Sequence, residues 1–141
     1  MISTVAVGTD GSATAEQAVQ EAAEIARRFD AKLVLLSAFH KSKTRRGGGG
    51  QDIEVQWISN SAARVKSILE RSEASLRQSG IECETRADEG DPGEVLVRLA
   101  DECGADLLVI GNKGMKRRVL GSIPNTVAHK ADCTVMVVKT T

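Results

Sequence analysis

Thr4-Val5-Ala6-Val7-Gly8-Thr9-Asp10-Gly11-Ser12 is the most telling stretch near the start of the chain. Its first five residues, apolar at the centre, read as a strand, and the polar, glycine-bearing Thr9–Ser12 breaks it. The period then changes. Ala18, Ala22, Ile25 and Phe29 recur at helical spacing, joined by Val19, Ala23 and Ala26, with Ser12 as the expected N-cap. A second strand, Lys32–Phe39, is apolar on both faces, as a central parallel strand should be.

The same alternation continues outward. A helix is expected from about Ile53 to Ser79, with Ile58, Ala62, Val65, Leu69 and Leu76 on one face and Gly80 stopping it. Ile81–Ala87 alternates strictly between apolar or small and charged residues, which marks a sheet edge. Asp91-Pro92-Gly93-Glu94 opens the next helix: Asp91 caps it, Pro92 sits at its first position and Glu94 is placed for a capping box. Val95, Leu96, Leu99, Ala100 and Cys103 form its stripe, and Gly104 ends it. Asp106–Gly111 is a fourth strand, Ile123–Ala131 a short helix and Thr134–Val138 the last strand. The reading is an open five-stranded parallel α/β sheet, Rossmann-like, of order 3-2-1-4-5, with helices on both faces. One domain is expected over residues 1–141.

Composition excludes several functions. Nineteen Lys and Arg balance nineteen Asp and Glu, so no global basic field is offered to nucleic acid or an anionic membrane. Aromatic residues make up 2% of the chain, too few for platforms that stack bases. No apolar run reaches membrane-spanning length and the start lacks a secretory pattern, so the expected location is cytoplasmic. Cys83, Cys103 and Cys133 have no metal-ligand spacing and read as small buried hydrophobes. His40 and His129 have no metal-spaced partner and read as surface or satisfied histidines. No catalytic constellation stands out, and no catalytic residue is named.

The strand order puts a switch point between strands 1 and 4, where ligands of such sheets bind. Two glycine-bearing segments lie there, Thr9–Ser12 and Gly111-Asn112-Lys113-Gly114. In the second, glycines let backbone N–H groups approach an anion, and Lys113, Lys116, Arg117 and Arg118 add positive charge. Gly121-Ser122 opens a helix whose first N–H groups form a second anion site. This loop reads equally as a polyphosphate cradle or as a solvated basic turn. Asp10 reads as a ribose or metal contact or, more simply, as a helix-capping aspartate. Lys41–Gly50, with its four glycines, reads as a mobile surface loop.

At Val5–Ser12, Gly90-Asp91-Pro92, Ala105–Gly111, and from Gly111 through Gly121-Ser122-Ile123-Pro124-Asn125 to Val138, the chain resembles the universal stress protein family, over essentially its whole length. The ATP-binding branch carries glycine, two residues, glycine, nine residues, glycine, then Ser or Thr. Gly111, Gly114 and Gly121-Ser122 match in type, but Met115–Leu120 is six residues, three short. The resemblance implies an ATP-binding regulatory protein of the stress response. Gly8 and Thr9 would line the adenosine, and Asp10 would face the ribose or a magnesium carried by the nucleotide. Ala38 would read the adenine edge through its backbone. Gly111, Asn112, Lys113, Gly114, Gly121, Ser122, Ile123 and Pro124 would line the ribose and phosphates. The short spacer suits a ligand with fewer phosphates, so cyclic AMP or AMP is the alternative ligand. A member that binds no nucleotide and acts through protein contacts is another, and slow ATP hydrolysis is the one enzymatic rival. A regulatory protein partner of unspecified kind is expected. Strand 5, with Val135, Met136, Val137 and Val138, leaves an apolar edge, and a homodimer through that strand is expected.

Overall fold

The computed structural model describes residues 1–40, 61–112 and 121–139. The expected loop Lys41–Gly50, Ile58, Lys113, Gly114 and the basic residues 116–118 lie outside the described residues. Five strands, β1 (Thr4–Gly8), β2 (Lys32–Phe39), β3 (Glu84–Glu89), β4 (Leu107–Gly111) and β5 (Thr134–Val138), pair in parallel in the order β3-β2-β1-β4-β5. Four described helices connect them: α1 (Ala13–Phe29), α2 (Ala62–Gln78), α3 (Pro92–Glu102) and α4 (Ser122–Lys130).

Each face of the sheet buries a different half of the strand residues, as the period of two requires. Val5, Val7, Leu33, Leu35, Leu107 and Val109 meet α1 and α2 on one side. Ala6, Val34, Leu36, Leu108 and Ile110 meet α3 and Val127 of α4 on the other. The three central strands are covered twice, which is why their sequences are apolar without alternation. Helices α3 and α4 touch directly: a Cβ on Gly93 would sit 2.8 Å from Thr126 Cγ2, so only glycine allows that approach.

Several boundaries differ from the sequence reading, each for a physical reason. Strand β3 begins at Glu84, not Ile81, because its partner β2 meets it first at Val34↔Glu84. Before that point the chain is still closing α2, with the Gly80 N–H on the Arg77 carbonyl and the Ile81 N–H on the Leu76 carbonyl. Strand β3 then runs to Glu89, opposite Phe39. Helix α2 begins at Ala62, because Ser61 is extended and its side chain accepts from the Arg64 N–H. Ala62 is exposed, and Ile68 takes a place in the buried stripe instead. In α1 the buried stripe stops at Ala26, and Phe29 is 54% exposed as the chain turns through Asp30. Asp91 caps α3 as expected, but Glu94 does not complete a capping box; its carboxylate accepts from Lys130 of α4. The cysteines are half-buried rather than buried, and desolvation raises the pKa of all three thiols. Among the described residues no helix is long and apolar enough to cross a membrane.

Candidate functional site

Beyond the carboxyl ends of β1 and β4, helix α1 lies on one face of the sheet and α4 on the other. A cavity of about 290 Å³ opens at this point. Five structural pieces converge on it: the β1–α1 turn, the end of β2, the end of β4 and the first turns of α3 and α4. A larger groove of about 480 Å³ lies on the flank of α2, lined by Arg64, Ser67, Ile68 and Arg71 among others. It shares Gly11 with the turn but sits away from the switch point, so the smaller cavity is the candidate site.

The β1–α1 turn is held from within. The Gly11 N–H donates to Thr9 Oγ1 at 3.2 Å, and the Ser12 N–H donates to Asp10 Oδ1 at 2.9 Å. Ser12 then caps α1, accepting from the Ala15 N–H at 3.2 Å. Asp10 therefore does serve the helix start, while its residue also lines the cavity. Gly11 has φ +81° and packs on Ile68, with no room for a Cβ. The turn is held from β2 as well. The Thr9 N–H donates to the Leu36 carbonyl at 2.9 Å, and the Ser37 hydroxyl donates to the Thr9 carbonyl at 2.7 Å.

On the other side, Gly121 precedes α4 in an extended conformation and offers no side-chain cap. The N–H groups of Ser122 and Ile123 have no acceptor within the helix, and Pro124 has no N–H. This first turn borders the cavity, so its positive dipole end is turned toward it. Gly111 closes the floor. A Cβ there would lie 3.3 Å from the Thr14 carbonyl oxygen, so the glycine serves the close passage of α1 over β4.

Of the twelve residues singled out in the sequence, nine line this cavity: Gly8, Thr9, Asp10, Ala38, Gly111, Gly121, Ser122, Ile123 and Pro124. Asn112 does not; it is 4% exposed and buried just past β4. Lys113 and Gly114 lie outside the described residues. Ser12, placed at the switch point but read as a cap, also lines the cavity, and the sequence reading missed Thr14, Ala15, Ser37, His40, Pro92, Leu96 and Ile110, which line it too. His40, read as a surface or satisfied histidine, is half-buried there. One signal was available: Ser37 is a hydroxyl inside a run of buried leucines and valine, and such a group needs a specific partner. Among the described residues no three His, Cys, Asp or Glu side chains are grouped to hold a metal ion.

An open doubly wound sheet with an anion-favouring helix start at its switch point defines a class of small α/β ligand-binding domains. Residues 1–139 match the universal stress protein family, and the chain belongs to it. It is 37% identical over 142 residues to the universal stress protein Rv1636 of Mycobacterium tuberculosis, covering 98% of this chain and 97% of that protein. Among solved structures it is similar to a universal stress protein in complex with cAMP, with 33% identity, 99% and 98% coverage and a TM-score of 0.75. It is also similar to the universal stress protein from Archaeoglobus fulgidus in complex with dAMP, with 25% identity, 99% and 98% coverage and a TM-score of 0.69.

Proposed function

We propose that the chain is an adenine-nucleotide-binding regulatory protein of the stress response, and that the nucleotide occupies the cavity between the ends of β1 and β4. The observation that carries this is the meeting, in one cavity, of Asp10, Ala38 and the uncapped start of α4 at Gly121-Ser122. Asp10 offers acceptors to ribose hydroxyls, Ala38 offers backbone to a base edge, and α4 offers N–H groups and dipole to phosphate. Of the two ligands the sequence suggested, a nucleoside monophosphate or its cyclic form has more support than ATP. The relative at 33% identity holds cAMP, the one at 25% holds dAMP, and the glycine spacer here is three residues short.

Equilibrium titration with cAMP, AMP, ADP and ATP, each with and without magnesium and with GTP as control, tests the reading. Micromolar binding, about −8 kcal/mol, is expected for cAMP or AMP, with a magnesium-independent affinity. Failure of every adenine nucleotide to bind would sink it.

A homodimer through β5 accompanies this proposal. Strand β5 is an edge whose Thr134 and Met136 are exposed and whose Val135, Val137 and Val138 are half-buried. An apolar edge of this kind is a template for another strand, and a two-fold copy is the simplest cover. Light scattering should give twice the chain mass, and Val137→Lys should shift it toward one chain without unfolding. A wild-type chain that is monomeric at micromolar concentration would refute the dimer.

A further inference from the structure

We propose that Ser37, which lies on the floor of the cavity, is a positioning residue: its hydroxyl ends the β1–β2 pairing one bond early and thereby shapes the cavity's adenosine side. The inference rests on the nucleotide reading above and deepens it.

Ser37 is 2% exposed, in a strand whose preceding four residues, Leu33-Val34-Leu35-Leu36, are fully apolar and buried. A hydroxyl there costs stability unless it is hydrogen-bonded. Its bond crosses 28 positions of sequence to the Thr9 carbonyl, at 2.7 Å. That carbonyl has a defined place in the sheet. Strands β1 and β2 pair in register through Gly8↔Leu36, and the Thr9 N–H continues the pattern onto the Leu36 carbonyl. In a continued parallel ladder the next bond would run from the Ala38 N–H to the Thr9 carbonyl. The Ser37 hydroxyl takes that carbonyl instead. Thr9 is thus held through both its N–H and its carbonyl, while the Ala38 N–H, on the cavity wall, makes no backbone bond to that carbonyl. The same bond fixes where Asp10 begins. Thr9 holds the Gly11 N–H and Asp10 holds the Ser12 N–H, so the whole turn inherits its position from Ser37.

Removing the hydroxyl frees the Thr9 carbonyl to take the Ala38 N–H, closing the parting of the strands at the adenosine side. Ser37 touches no ligand atom in this account; it acts through Thr9, Asp10 and Ala38.

The experiment measures cAMP and AMP affinity of the full chain together with amide exchange at Ala38 in the free protein. Ser37→Ala should weaken binding about tenfold and slow exchange at Ala38, as that N–H enters the ladder. Ser37→Thr, which keeps a donor, should restore most of both. In an Asp10→Ala background the further loss from Ser37→Ala should shrink, because both changes act on the same turn. A folded Ser37→Ala chain with unchanged affinity and unchanged Ala38 exchange would overturn the proposal. A change in thermal stability alone, with affinity intact, would do the same. If Ser37→Ala does not fold, Ser37→Cys, nearly the same shape with a poor donor, takes its place with the same expected signs. If the wild-type chain binds no adenine nucleotide, the nucleotide reading fails, while Ala38 exchange still decides whether Ser37 ends the ladder.

Discussion

The two ends of the sheet satisfy their backbone groups differently. At the end where the strands begin, α1, α2 and α3 finish in closed turns. Gly80 donates to the Arg77 carbonyl and Ile81 to that of Leu76; Gly104 and Ala105 repeat the pattern on Asp101 and Ala100. Asp30 and Ala31 do the same for α1, with Asp30 at φ 53° where glycine would be easier. The Asp106 carboxylate then takes the N–H groups of both Ser3 and Thr4. At the opposite end, α1, α2 and α3 start with side-chain caps, Ser12, Ser61 and Asp91, but α4 starts with Gly121 and none. The first end is finished by the chain itself. The second leaves one helix start unfinished, beside the cavity, where a bound anion would complete it.

The largest effect that could break this contrast comes from the uncapped helix. Gly121→Val should lower adenine-nucleotide affinity at least about tenfold, ~1.4 kcal/mol, while leaving the fold intact, since Gly121 has an ordinary φ of −64°. Gly121→Asn should also weaken binding, because its own oxygen would take the donors meant for phosphate. Unchanged affinity in both variants would mean that the helix start is not the anion site.

The strand-start end is open to a pH test. Hydrogen bonds from Ser3 and Thr4 lower the pKa of Asp106, so its contribution is present above the ordinary carboxylate value and lost as pH falls through the lowered one. Asp106→Asn should be less stable than wild type at pH 7, and thermal melts should show the gap closing in acid below about pH 4. A gap that stays constant with pH would show that the carboxylate does not tie down β1.

Among the capped helices, Asp91→Ala should cost about 1 kcal/mol in chemical denaturation. The smallest effect belongs to Asp30. Asp30→Gly should stabilise by about 0.5 kcal/mol, because the left-handed conformation suits glycine better than aspartate, less the extra freedom glycine gives the unfolded chain. Destabilisation instead would mean that the Asp30 side chain supports the turn.

Much of the fold was legible because periodicity reports burial. Strands β1, β2 and β5 fall where the apolar runs lie, and the edge character of β3 is written in its charges. The start of β3 was not legible from the alternation of its residues, since Ile81 is spent on closing α2 and pairing begins only at Val34↔Glu84. Phe29 extended the helical stripe in sequence but lies exposed at the turn of the chain. For the cavity, glycines and Asp10 were visible because turns need particular residue types. Leu96, Ile110, Thr14 and Ala15 were not, because ordinary core residues line a cavity only by where their elements end. Gly111 was visible for a reason that proved incomplete: its missing Cβ makes room for the Thr14 carbonyl.

Gly93 has a mechanical consequence. With Thr126 resting where a side chain would otherwise stand, and Lys130 bonded to Glu94, helices α3 and α4 are held in direct contact over one face of the sheet. Helix α4 runs from the cavity at Gly121-Ser122 to Ala131, where the chain turns toward β5. The cavity and the edge strand β5 are thus joined through one short helix of nine residues.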